Sequence, residues 1–339
     1  MNLQTNYLGL SLAHPIVAGA SPLSATVDGI RRLEDGGAAA IVAASVYEEE
    51  VRAMDAALEA AGAIGAESHA EVTSYLPPLP GYRGALAAHV EMIRRAADSV
   101  SAPLIASLNG ITREGWTSIA ADLEEAGAAA LELDLFHIPT DPRETSAEVE
   151  QRLVETVREV CAKVTIPVAV KLGQNFTALA HLALDIAATT GASGLVLFGQ
   201  RYETDIDLET LAFCPSLRLS TAQEIHESLM WIGLLAGKTS LSLAAGGSVE
   251  GSAEVIKYLL AGADVVEAAS SLLRHGPSHI KRLVEGLAEW IEAHGATSVD
   301  EIRGRLRADR LADTEALLRA QYVRSLLMEH RALDVRRTA

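Results

Sequence analysis

The stretch that decides the fold is VTIPVAVKLG, residues 164–173. Pro167 opens the run 168–170, which is too short for a helix and rich in β-branched residues, so it predicts a strand. Every position of the run is apolar, which is typical of a strand covered on both faces in a parallel sheet. The stretch therefore favours an α/β fold built on parallel strands.

Lys171 ends this strand, where burying an unpaired ammonium group would be costly. In parallel α/β folds, ligands bind at the carboxyl ends of the strands. Two interpretations stay open at this point. Lys171 pairs with a neighbouring carboxylate, or it is a cationic group that binds a ligand or takes part in catalysis.

A repeated pattern predicts the rest of the sheet. Helical segments that end in Gly-Ala are followed within a few residues by an apolar strand, and the glycine supplies the left-handed residue that closes the helix. These strands alternate with strands that mostly follow a proline. The predicted strands are 15–20, 40–44, 103–108, 130–135, 167–172, 194–198, 241–245 and 265–268. The predicted amphipathic helices are 27–35, 86–98, 116–126, 147–163, 178–189, 222–236, 250–261 and 278–293.

Eight strands alternating with eight helices predict a closed (β/α)8 barrel, the TIM-barrel fold, with an open doubly wound sheet as the alternative. Two insertions, 46–83 and 199–220, leave from the carboxyl ends of strands 2 and 6 and would overhang the active face. We expect a barrel domain at 1–295, followed by a C-terminal helical extension, 296–339. The extension could pack on the outside of the barrel or on another subunit, and a solvated tail is the interpretation that we favour.

The first insertion has two recognisable parts. A short helix is predicted at 48–61, and the proline-rich sequence LPPLPGY follows at 76–82.

Composition limits the function. The chain has 339 residues and a formal net charge of -17, which opposes non-specific binding to nucleic acid or to anionic membranes. It shows neither a membrane-spanning apolar stretch nor a secretory signal pattern, so we expect a cytoplasmic protein. Cys161 and Cys214 form no metal or redox spacing, and we expect no metal site.

The strand ends would meet at one rim and form the candidate site. Strand 1 ends in small residues that would let a planar ligand lie close to the backbone. Strand 7 ends in Gly246-Gly247-Ser248 and strand 8 in Ala269-Ser270. Turns of this kind entering helices present backbone N–H groups to an anion, although a tight turn without a ligand is the other interpretation.

Several motifs resemble those of a known family. They are His14-Pro15-Ile16-Val17 with Ala20-Ser21, Glu132-Leu133-Asp134-Leu135, residues 167–172, Gly247-Ser248-Val249, and residues 259–264 leading to Gly276-Pro277. On these motifs the chain resembles the dihydroorotate dehydrogenase family of FMN-dependent barrels, and especially its unassigned dihydroorotate dehydrogenase-like branch. The resemblance runs from Leu8 to Gly295.

The resemblance implies FMN bound at the barrel mouth. Lys171 would lie beside the N1/O2 edge of the flavin, where a cation stabilises the negative charge of the reduced ring. Asn109 would lie near the pyrimidine edge. The residues placed against the ring are Ala18, Gly19, Ala20 and Ser21, and those placed at the phosphate are Gly246, Gly247, Ser248, Ala269 and Ser270.

The chain also departs from the family pattern. A family lysine at the end of strand 2 is Ala43 here, a glycine of the phosphate turn is Ser248, and an asparagine after strand 6 is Gly199. The asparagine that grips the orotate ring is Asp134, and the Cys or Ser base falls at or near His137. Too few of the substrate-binding asparagines remain for us to expect dihydroorotate as the substrate. Asp134 would also repel a carboxylate such as orotate by about 1–4 kcal/mol.

The function predicted from the sequence is an FMN-dependent oxidoreductase that acts on a small molecule. Its candidate catalytic residues are His137 as the proton-handling group, Lys171 and Asp134, and the last two could also form an ion pair. Two alternatives stay open: a Schiff-base lyase using Lys171, and a barrel without chemistry that serves as a binding or assembly subunit. We further expect a redox partner protein and a homo-oligomer.

Overall fold

A computed structural model describes residues 1–63, 84–110, 112–199, 203–216, 218–310 and 314–337. The proline-rich sequence at 76–82 lies outside the described residues.

The described chain forms a closed barrel of parallel strands ringed by helices. The eight barrel strands, called the first to the eighth below, are Ile16–Ala18, Ile41–Val42, Leu104–Asn109, Ala130–Asp134, Val168–Leu172, Gly194–Leu197, Ser242–Gly246 and Val265–Ala268. Each strand pairs in parallel with its neighbours in the chain, and the eighth pairs with the first, which closes the barrel. The predicted (β/α)8 fold is confirmed, and the open sheet is wrong.

Each predicted amphipathic helix has a counterpart in the structure. The helices are Val27–Asp35, Glu48–Ala63, Gly84–Ala97, Arg113–Glu125, Ser146–Lys163, Leu179–Thr189, His226–Leu235, Ser252–Ala261, Ser270–His275, His279–Ala293, Val299–Ile302 and Thr314–Arg337. Short 3-10 turns lie at Pro22–Ser24, Ala222–Ile225 and Ala308–Arg310.

The glycines of the Gly-Ala repeat explain why helix and strand alternate so regularly. Gly37, Gly127, Gly191 and Gly262 all have φ between 86° and 120°. A residue with a Cβ is strained in this left-handed region, so glycine ends each helix and turns the chain into the next strand.

Small apolar side chains fill the lower barrel interior. The inward positions there include Val17, Ala130, Ala169 and Val265, all buried. The N-terminal hairpin, Thr5–Tyr7 paired with Leu10–Leu12, closes this end and buries Tyr7 against the same cluster. The polar inward positions therefore lie at the opposite, carboxyl end of the strands.

Both insertions carry secondary structure in their described parts. After the second strand, Val46–Tyr47 adds to the sheet beside the third strand and leads into the helix Glu48–Ala63. After the sixth strand, Glu203–Asp207 and Ala212–Ser216 form an antiparallel hairpin.

The start of the C-terminal extension packs on the barrel. Val299 and Ile302 are fully buried, and the backbone N–H of Asn2 donates to the carbonyl of Thr297 at 2.9 Å. Arg303 Nη1 lies 2.8 Å from Oδ1 of Asp264, the residue before the eighth strand. The start of the extension therefore packs on the outside of the barrel, as one alternative predicted, and the favoured interpretation of a solvated tail is wrong for residues 296–310.

Within the described part of the chain, no helix combines the length and apolar character needed to cross a membrane.

We expect Ile302→Ala to lower the free energy of unfolding by about 2–5 kcal/mol, because it leaves a cavity where the extension meets the barrel. Leu306→Ala is the control, since this leucine is 71% exposed and its truncation should change the stability by less than about 0.5 kcal/mol. Urea unfolding of the full chain measures both. Equal stability of the two variants would contradict the packing of the extension on the barrel.

Candidate active site

A buried ionic cluster lies in the upper barrel interior. Side chains alternate along a strand, so Glu132 and Lys171 point inward in register with Ala130 and Ala169 below them. Lys171 Nζ lies 2.9 Å from Glu132 Oε1 and 3.4 Å from Glu267 Oε2 of the eighth strand. The three side chains are 11%, 1% and 4% exposed, respectively. Lys171 is thus paired with carboxylates, as the first of the two interpretations of this residue predicts.

The partners of Lys171 differ from the expected one. Asp134 stands opposite Lys171 in the register of the fourth and fifth strands, which suggested an ion pair between them. The ion pairs are instead with Glu132 and Glu267, and Asp134 acts on Lys171 through its charge. The prediction of an Asp134–Lys171 ion pair is wrong, because neighbours in register need not touch at their side-chain ends.

The charged groups of this cluster shift the pKa values of one another. Burial opposes the charged form of Lys171, but the attraction of Glu132 and Glu267 outweighs burial and raises the lysine pKa above its ordinary value. Burial and the nearby Glu132 raise the pKa of Glu267 to about 8, although Lys171 opposes them. Burial also raises the pKa of Asp134, again against Lys171. The lysine is therefore a charged donor whose charge is balanced by its neighbours.

A narrow cavity of about 200 Å³, called the slot below, lies above this cluster. Its lining includes the predicted residues Gly19, Ala20, Asp134, Lys171, Gly246, Gly247, Ser248, Ala269 and Ser270. A Cβ on Gly246 would collide with the carbonyl oxygen of Phe198, and one on Gly19 would lie 3.4 Å from the Cβ of Glu267. Position 246 therefore requires a glycine, whereas a Cβ at position 19 would make only ordinary van der Waals contact.

One end of the slot has an unusual backbone conformation. Gly247 and Ser248 have φ of 79° and 60°, and no atom lies within 4 Å of a Cβ built on Gly247. The hydroxyl of Tyr258 donates to the carbonyl of Gly247 at 3.2 Å, which fixes the turn from behind. Successive left-handed residues of this kind turn backbone N–H groups towards one side, as in anion-binding turns.

Ser220, from the insertion after the sixth strand, lies at the same turn. Its Oγ accepts the N–H of Ser248 at 3.0 Å, and its own N–H and O–H reach Ser270 Oγ at 3.1 and 3.0 Å. A hydroxyl therefore accepts the backbone N–H at this turn. Ser220 was not predicted, since no spacing rule places a residue of a long insertion.

A second cavity, of about 730 Å³, adjoins the slot and shares Gln174 and Gly199 with it. Its walls include three aromatic side chains and three polar ones, namely Trp116, Phe136, Phe176, Asn109, His137 and Arg152. His137 is exposed, and its Nε2 lies 3.3 Å from Nη2 of Arg152, which also pairs with Glu144. The structure thus places Asn109 and His137 beside the slot rather than inside it.

Two predicted residues lie away from both cavities. Ala18 is fully buried in the first strand. Ser21 lies in the turn after that strand, where its backbone N–H donates to Ser24 Oγ at 3.3 Å. Glu267 lines the slot but was not predicted, although a glutamate inside an otherwise apolar strand is a readable signal.

Comparison with known proteins gives relatives along most of the chain. It is 27% identical to a putative dihydroorotate dehydrogenase A (fumarate) of Aeropyrum pernix, over 89% of this chain and 96% of that protein. It is 25% identical to the catalytic subunit of dihydroorotate dehydrogenase B (NAD(+)) of Pyrococcus furiosus, over 90% of this chain and 98% of that protein. A chloroplastic dihydropyrimidine dehydrogenase (NADP(+)) of Arabidopsis thaliana is 23% identical to it, over 89% of this chain and 76% of that protein. No family model matches the chain.

We expect Lys171→Met to lower the free energy of unfolding by about 3–5 kcal/mol near pH 8, because it leaves two buried carboxyl groups without their cation. The loss should be smaller near pH 5. Without the ammonium, the carboxyl groups hold their protons more tightly in the folded than in the unfolded chain, and this contribution to stability disappears as the pH rises.

Urea unfolding at the two pH values measures this difference. Lys238→Met is the control, since Lys238 is exposed and should respond little at either pH. The same loss for Lys171→Met at both pH values would contradict the pairing of Lys171 with two buried carboxyl groups.

Proposed function

We propose that this chain, which is related to the dihydroorotate dehydrogenases at modest identity, is an FMN-dependent oxidoreductase acting on a small molecule. The observation that carries the proposal is that one slot is lined by the ammonium of Lys171 and by the left-handed turn at Gly247 and Ser248. A cationic donor and an anion-binding turn in one slot match the two ends of a flavin nucleotide.

The residues present fit FMN. Gly19, Ala20 and Gly246 leave part of the slot wall without large side chains, which suits a flat ring, while larger side chains such as Tyr47 and Phe198 line other parts. The backbone N–H of Ser248 and the hydroxyls of Ser220 and Ser270 would hold the phosphate. Lys171 has three N–H groups, of which two are directed to glutamates, and the third is available to the ring edge.

When bound, FMN would supply hydride transfer, and the residues of this chain would orient the ring and exchange the proton. Lys171 would orient the ring through a hydrogen bond. His137, on the wall of the adjoining cavity, would exchange a proton with the substrate. The aromatic walls of that cavity would exclude water from the reacting atoms.

Asp134 supports a further statement about the substrate. A Cβ on Gly199 would lie 3.7 Å from Asp134 Oδ1, and Gly199 lines both cavities, so the carboxylate lies near their junction. A substrate carboxylate there would be repelled by about 1–4 kcal/mol. We therefore propose a substrate without a carboxylate, whose N–H group donates to Asp134, and not dihydroorotate itself.

One observation favours the alternative, a barrel that binds but does not catalyse. Ser220 already accepts the Ser248 N–H that FMN would need, so the phosphate must displace this hydroxyl or use it. The Schiff-base alternative is disfavoured, because such a lysine needs a lowered pKa and the glutamates raise the pKa of Lys171. A redox partner protein, self-association and a cytoplasmic location stay predictions.

The purified protein should be yellow, should bleach with dithionite, and should bind FMN after the flavin has been removed. Ser270→Asp should weaken FMN binding about 100-fold, since it places a like charge against the phosphate, whereas riboflavin affinity should change less than about twofold. Fluorescence quenching measures both constants.

Ser325→Asp, which adds the same charge on the exposed C-terminal helix, is the control. A colourless protein that ignores FMN would overturn the proposed function. Equal losses for FMN and riboflavin in Ser270→Asp would show that this turn does not hold the phosphate.

Asp134→Asn should tighten the binding of orotate about tenfold or more, and that of uracil by much less, because only orotate carries the carboxylate that Asp134 repels. Perturbation of the flavin absorption spectrum on titration with each ring gives the two affinities. Asp28→Asn, at an exposed position, is the matched control. An unchanged orotate-to-uracil ratio would show that Asp134 does not set the charge of the substrate.

A further inference from the structure

The carboxyl groups of Glu132 and Glu267 converge on one ammonium group from opposite sides of the barrel. Glu132 Oε1 and Glu267 Oε2 both lie within 3.4 Å of Lys171 Nζ. The remaining oxygen of Glu267, Oε1, is buried and has no hydrogen-bond partner among the described residues. A buried carboxylate oxygen without a donor is costly, whereas a carboxylic acid at the same place can donate to a neighbouring carboxylate.

We propose that Glu132 and Glu267 share one proton in the barrel interior, and that Glu267 is a positioning residue that acts on the cofactor through Lys171. This second part rests on the proposed binding of FMN. With the proton in place, one carboxylate balances Lys171 and the ammonium can turn its third N–H to the slot. Without the proton, two carboxylates pair with the ammonium of Lys171 and add negative charge beneath the flavin ring.

Every element around Glu267 contributes to this balance. Glu132 faces it from the fourth strand and Lys171 from the fifth, Asp134 acts on the same Lys171, and the hydroxyl of Tyr7 lies on the hairpin below. Asp264, before the eighth strand, acts on Tyr7 and is itself paired with Arg303. Three carboxyl groups thus act on a single buried ammonium, so the cluster has excess negative charge that a bound proton reduces.

The direction of the pH effect follows from the position of this proton. Burial and Glu132 raise the pKa of Glu267 to about 8, so the proton is present at neutral pH and leaves as the pH rises. The extra negative charge of Glu267 then repels the electron-rich edge of the flavin ring, and the repulsion is stronger once the ring is reduced. FMN should therefore bind well at neutral pH and progressively less well above about pH 8.

The test is the dissociation constant of FMN between about pH 6 and pH 10, for the oxidised and the dithionite-reduced flavin. For the unmodified protein we expect the dissociation constant of FMN to rise above about pH 8, by a factor that approaches tenfold per pH unit. The rise should be larger for the reduced flavin than for the oxidised flavin. Glu267→Gln keeps the hydrogen bond without the titration, so its constant should stay within about twofold of the neutral-pH value. Glu285→Gln, at an exposed position, should behave as the unmodified protein.

A flat profile in the unmodified protein, or the same slope in Glu267→Gln, would overturn the positioning role. Infrared difference spectra of the flavin-free chain, taken between neutral and alkaline pH, test the shared proton without FMN. We expect a protonated carboxyl band that is lost on alkalisation and missing from Glu267→Gln, and its absence from the unmodified protein would overturn the shared proton.

The infrared measurement also separates the two proposals. If FMN binds at no pH, the proposed function and the positioning role fail together, whereas the band alone decides whether the two glutamates share a proton. If Glu267→Gln does not fold, the pH profile and the infrared band of the unmodified protein still decide each part.

Discussion

The pairing of one buried ammonium with two buried carboxyl groups is the constraint on which the upper half of this barrel depends. Ionisable groups can be removed from water only when they compensate one another, and Lys171, Glu132 and Glu267 do so within 3.4 Å. The interior below them is apolar, and Tyr7 closes it. The polar groups are thereby confined to the carboxyl end of the strands, where the slot opens. Stability and site are set by the same three side chains.

The fold could be predicted because its signals are local. The Gly-Ala pattern marks each helix end within a few residues, and glycines such as Gly37 and Gly127 do adopt the left-handed conformation that the pattern requires. The extension was misjudged although a local signal was present. Ala296, Val299 and Ile302 recur every three residues and are all buried, but the charged residues around them suggested a solvated segment.

The site was predictable only in part, because its contacts are distant in sequence. The placement of Lys171 at a strand end followed from one short stretch, and the structure puts it in the slot. Its partner Glu267 lies 96 residues further on, and no local pattern indicates which carboxylate will cross the barrel. Strand order gives lateral neighbours such as Asp134, whereas contacts through the interior depend on how the strands tilt and close. Ser220 was out of reach for the same reason.

Two of the departures that the resemblance implies share one physical direction. Ala43 would replace a lysine and Asp134 a neutral amide, and the structure pairs Lys171 with Glu132 and Glu267. Each change makes the slot less positive. A less positive site binds an anionic ring or a carboxylate substrate less well, but it can still orient a neutral ring through hydrogen bonds. Burial and Glu132 raise the pKa of Glu267 to about 8, so this carboxyl group adds negative charge to the slot only at alkaline pH.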